Sequence, residues 1–81
     1  MAPGSTLADL RVGDEAIVAD VAGERSVVRR LMEMGLLPGT AIRIVRVAPL
    51  GDPIEVRLRS YSLSIRRTEA RGVRITRGEA K

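Results

Sequence analysis

Eighty-one residues allow one domain, which buries only about 60–65% of the surface its unfolded chain exposes. The 14 basic residues, all arginine but Lys81, outweigh 10 acidic ones and leave a net charge of +4, which favours acidic partners or anionic surfaces. With no cysteine and no histidine, the sequence excludes disulfides, thiolate zinc sites, and the usual general base and strong nucleophile.

The first apolar pair, Leu7 and Leu10, is spaced for one helical turn after a disordered stretch at residues 1–5 that contains Pro3 and Gly4. Gly13-Asp14 is a turn signal, and Glu15 to Val21 reads as the first strand, ended by Ala22-Gly23. Arg25 to Met34 is predicted to be the one clear helix. Val27, Val28, Leu31 and Met34 form its core-facing stripe, and Arg25, Arg29, Arg30 and Glu33 its outer side. Gly35 is placed to stop the helix in the left-handed region, with Leu36 contacting Leu31 across the terminal turn. Pro38-Gly39 then suits a type II turn.

Thr40 to Val47 is the second strand. Its alternation slips where Val45 and Val47 flank Arg46, which predicts a bulge or a strong bend. Residues 49–53 form a loop stiffened by two prolines. Ile54, Val56 and Leu58 alternate with Glu55, Arg57 and Arg59 in a half-buried third strand. After a turn at Ser60-Tyr61, Leu63 and Ile65 make a fourth strand. A helical turn over residues 66–71 precedes the last strand, carried by Val73 and Ile75, and residues 77–81 form a polar tail. The pattern is mainly β: about five short strands in a small barrel, with one α-helix inserted after the first strand.

Little in this inventory supports catalysis. The serines lack a base, and Lys81 lies in the tail. Metal binding is no better served: carboxylates and the thioethers of Met1, Met32 and Met34 are the only ligands, so neither metal nor cofactor is expected. Met34 reads as core and Met32 as rim. One tyrosine supplies neither a proline-peptide groove nor a stacking platform, and the arginines are dispersed, so no specific nucleic-acid binding is expected. The apolar runs are too short to span a membrane, and the N-terminus has no signal-peptide pattern, so the reading is a cytoplasmic domain. Leu37 has no evident role in the helix ending; it either packs inward or is exposed. The loop at Leu50 is either a rigid hairpin connection or a pre-ordered contact loop. Arg29, Arg30, Leu37, Pro38 and Leu50 are the candidate partner-binding residues, as an apolar patch with a cationic rim.

Two segments carry a family resemblance. Arg30-Leu31-Met32-Glu33-Met34-Gly35-Leu36-Leu37-Pro38-Gly39-Thr40 resembles a stretch of the FeoA family, the small cytosolic partners of the bacterial ferrous-iron transporter FeoB. Ala48-Pro49-Leu50-Gly51-Asp52-Pro53-Ile54 is similar to that family's long hairpin loop. The resemblance runs from Leu7 to Thr76 and implies an SH3-like domain over residues 6–76. It also implies ferrous iron uptake as the process and the cytosolic side of FeoB as the partner, with regulation of FeoB and weak self-association both compatible. FeoB carries a G-protein domain, so an arginine supplied in trans, Arg29 or Arg30, is one conceivable means of regulation. Ser60 departs from the glycine the family often has before Tyr61. The alternative reading is an SH3-like accessory domain of a metal-dependent transcriptional repressor system.

Overall fold

A computed structural model describes residues 5–77. A 3₁₀ turn (Leu7–Asp9) precedes β1 (Glu15–Val21), α1 (Arg25–Glu33), β2 (Ala41–Val47), β3 (Ile54–Leu58), β4 (Tyr61–Ile65), the single-turn α2 (Arg67–Ala70) and β5 (Val73–Arg77). The strands form one antiparallel sheet in the order β4-β3-β2-β1-β5. Of the expected disordered stretch, only Ser5 lies within the described residues, and its carbonyl accepts the Ile75 N–H at 3.2 Å. Of the expected polar tail, only Arg77 does, as the end of β5.

Two bulges curl the sheet. The β2–β3 register shifts between Ile44 and Arg46, and the β1–β5 register between Val18 and Asp20. An extra residue on one strand bends it and sharpens its twist. The slipped hydrophobic period of β2 therefore has a structural cause: Val45 is the extra residue, and Val47 returns to pack against the core. The bulge at Ala19 left no comparable signal, because alanine fits either face.

The core is aliphatic throughout. Leu7, Leu31, Leu36, Ile44, Val56 and Val73 are fully buried, and no polar or charged residue is buried among the described residues. The helix contributes less to it than the sequence suggested. Leu31 is buried, and Val27 and Met34 pack beside the core, but Val28 is half-buried off it. The contact stripe runs through residues 27, 31 and 34, which leaves Val28 on its solvent flank.

The end of α1 is a Schellman motif. The Leu36 N–H donates to Leu31 O at 3.1 Å and the Gly35 N–H to Met32 O at 3.0 Å, with Gly35 at φ 111°. Leu37 to Thr40 then closes as the type II turn, through a 3.0 Å bond from the Thr40 N–H to Leu37 O, with Gly39 at φ 92°. The turn docks on β1: the Gly39 N–H donates to Val18 O and the Val18 N–H to Thr40 O.

The hairpin between β3 and β4 differs from expectation. Leu58 pairs with Tyr61, so the turn residues are Arg59 and Ser60, and Tyr61 is the first strand residue. Arg59 takes φ 37°, the left-handed conformation that a two-residue hairpin turn demands.

Candidate functional site

Leu37 and Pro38 stand exposed at the C-terminal end of α1. Leu37 is 45% exposed, which decides between its two sequence readings: it has no core role. Tyr61, 46% exposed, joins this end because its hydroxyl donates to Met34 O at 2.5 Å. The pattern of the sequence did not reveal Tyr61 here, since it rests on a contact between residues 27 positions apart.

Leu50 is 96% exposed, on the loop between β2 and β3. That loop is fixed from behind. The Arg67 guanidinium donates through Nε to Gly51 O at 2.9 Å and through Nη1 to Ala8 O at 2.8 Å. The Arg67 N–H donates to Asp52 Oδ1 at 2.9 Å. Arg67 thus ties α2, the loop and the N-terminal turn together. The sequence alone did not single it out among so many arginines.

The five predicted residues do not form one patch. Leu37 and Pro38 precede β2, at the end where Ile42 pairs with Leu58; Leu50 follows β2, where Val47 pairs with Ile54. The length of β2 separates them, roughly 20 Å for seven residues. A strand carries the chain away from its starting point, so proximity in sequence did not become proximity in space.

The two arginines also divide. Arg30 is ion-paired with Glu69, which also accepts the Arg66 N–H at 3.1 Å and so clamps α1 to α2. Arg29 is exposed and makes no ion pair among the described residues; the same holds for Arg25. Both line a shallow groove with Gly23, Val28, Met32 and Glu33. Val28 and Met32, one turn apart, supply its half-buried apolar floor. Among the described residues, no group of three or more acidic side chains is placed to hold a metal, and no helix is long and apolar enough to cross a membrane.

Fold and surface together define a class: a small arginine-rich β-barrel domain with a helix after its first strand and apolar side chains presented at two separate ends. The FeoA domain family matches residues 5–77, and the chain belongs to that family. A fusion of Fe(2+) transport protein A with the Fe(2+) transporter FeoB from Porphyromonas gingivalis is 36% identical over 69 residues, 85% of this chain. The chain spans 8% of that protein's length. The solution structure of FeoA from Chlorobium tepidum matches with a TM-score of 0.85 at 45% identity, over 90% of this chain and 70% of that one. The zinc-complexed crystal structure of Stenotrophomonas maltophilia FeoA, described as an SH3 domain protein, matches with a TM-score of 0.78 at 29% identity, over 89% of each chain. The fold is the expected SH3-like barrel. A manganese-dependent transcriptional repressor shares it with a TM-score of 0.84 at 17% identity, over 95% of this chain and 38% of that one; this likeness is one of fold alone.

Proposed function

We propose that this chain is a cytosolic, non-enzymatic accessory of ferrous iron uptake that binds the cytosolic side of FeoB and regulates it. The observation that carries the reading is the Porphyromonas gingivalis relative, in which an Fe(2+) transport protein A segment and the FeoB transporter share one polypeptide. Two segments joined in one polypeptide are held at high effective concentration, so an interface between them is the economical expectation.

The surface that fits this role best is the end of α1. Leu37 and Tyr61 are large, exposed and held in place by backbone hydrogen bonds around Gly35, so little side-chain and backbone freedom is lost on binding. Arg29 lies free on the same helix to steer an acidic partner. Arg30 would first have to leave Glu69, so Arg29 is the better candidate for an arginine acting in trans on the transporter's nucleotide site.

The test is an NMR titration of labelled protein with the cytosolic domain of FeoB from the same genome, with circular dichroism as the folding control. Leu37→Asp should keep the fold and weaken binding tenfold or more, because it buries a charge in the contact. Leu50→Asp, at the far end, should bind as the unaltered protein does. The opposite pattern moves the contact to the Leu50 loop. No binding by the unaltered protein, with nucleotide and full-length transporter supplied, removes the proposal.

A further inference from the structure

The two edges of the sheet are treated differently. β5 is covered: Thr6 bridges Arg74, and the outward N–H of Ile75 donates to Ser5 O. β4 pairs with β3 on one side and, among the described residues, has no strand on the other.

The hydrogen-bond alternation shows which β4 groups face outward. Ile44 directs both backbone groups to the β1 side, accepting from the Gly13 N–H and donating to Asp14 O. Its pair with Val56 is therefore a non-bonded one, and Arg43 with Arg57 is a bonded one. Carried one strand further, Leu58, Val56 and Ile54 bond Tyr61, Leu63 and Ile65. This agrees with the two-residue turn, whose flanking residues form a bonded pair. The N–H and C=O of Ser62 and Ser64 thus point away from the sheet. Neither residue has a hydrogen bond to the rest of the described chain on that side, and both are exposed.

Sheet edges are normally blunted by charge, proline or a bulge. β4 has none of these. Its sequence is Tyr-Ser-Leu-Ser-Ile, uncharged, and its register with β3 has no shift. Each of the other four strands carries charged side chains.

We propose that β4 is a self-association edge that pairs antiparallel with β4 of a second copy of this chain, about a two-fold axis through Leu63. The arrangement of the outward groups argues for this occupant. With Leu63 opposite Leu63 of the second copy, Ser62 meets Ser64 and Ser64 meets Ser62. Every outward N–H and C=O of both residues then finds a partner, and no like charges face each other within the strand. An isologous contact of this kind closes on itself as a dimer. Five residues a side bury far less than the roughly 1,000 Å² of a stable interface, so the dimer forms only at hundreds of micromolar and above. This inference does not depend on the transporter reading.

Sedimentation equilibrium and amide exchange from 20 µM to 2 mM test it on the full chain. The expected result is a concentration-dependent rise in mass from 8.8 kDa toward twice that value, with exchange slowing at Ser62 and Ser64. Ser64→Pro removes one outward donor at a position where an edge strand tolerates proline. Ser62→Lys places a charge on the edge without touching the β3 ladder, and serves if the proline variant fails to fold. Either variant, folded, should weaken association at least tenfold. A monomer at 2 mM overturns the proposal, as does a dimer that both variants leave intact. Protection of Ser62 and Ser64 only when the FeoB domain is added, without self-association, also overturns it and gives the edge to the transporter.

Discussion

Replacing Gly35 with alanine perturbs two things at once, and the structure allows them to be separated. The first is backbone strain: φ is 111°, where an L-residue with a Cβ costs about 1–2 kcal/mol. The second is a collision. A Cβ at Gly35 would lie 2.1 Å from Tyr61 Oη, while Tyr61 Cζ and Leu58 Cδ1 stand at 3.4 Å, a tolerable approach. Only the hydroxyl must leave, and it takes with it the 2.5 Å bond to Met34 O, worth about 1 kcal/mol net. Gly35→Ala should therefore cost about 2–3 kcal/mol, lowering Tm by roughly 10–20 °C in a domain of this size. In the Tyr61→Phe background there is no hydroxyl to displace, and the same substitution should cost about 1–2 kcal/mol. Urea denaturation of the four proteins of this cycle should show a coupling of about 1 kcal/mol. An unchanged midpoint for Gly35→Ala would refute the Schellman ending as a source of stability. A cycle that adds within about 0.5 kcal/mol would show that the tyrosine swings away freely.

Arg67→Ala removes two charge-assisted bonds to backbone carbonyls and should cost about 2–3 kcal/mol; Arg67→Lys should recover only part of it, since one ammonium cannot reproduce the guanidinium fork. Denaturant midpoints check this, and a neutral Arg67→Ala would mean that the 48–53 loop holds itself. Gly72→Ala should cost about 1–3 kcal/mol, because its Cβ would sit 2.1 Å from Ala22 O, where the Ala22 N–H donates to Gly72 O at 2.7 Å; calorimetry reads the shift. Chelation should leave the melting temperature unchanged, and a marked fall would reveal a carboxylate metal site.

Much of this protein was legible in its sequence because the signals were local. The span of β1, the helix expected over residues 25–34 and observed over 25–33, the stop at Gly35, the Pro38-Gly39 turn and the slipped period at Val45 each follow from residues within a few positions of one another. Backbone preference and hydrophobic period act over that range, so the barrel could be read before it was seen. The partner surface could not. Leu37 and Leu50 look alike as leucines without a core role, but β2 carries them to opposite ends of the ladder. Arg30 and Arg29 are adjacent and chemically identical, but only Arg30 meets Glu69, 39 positions away. Tyr61 reads as a turn residue until its hydroxyl is found on Met34 O. Gly72 shows no positive φ, and its need for glycine comes from the backbone of Ala22, 50 positions earlier. The edge character of β4 depends on the whole strand order. The sequence by itself determined the elements and most of their turns, the Arg59-Ser60 hairpin excepted, because a chain's local energetics depend on near neighbours. Tertiary structure alone decided which side chains meet, because long-range contacts are set by how the strands close around the core.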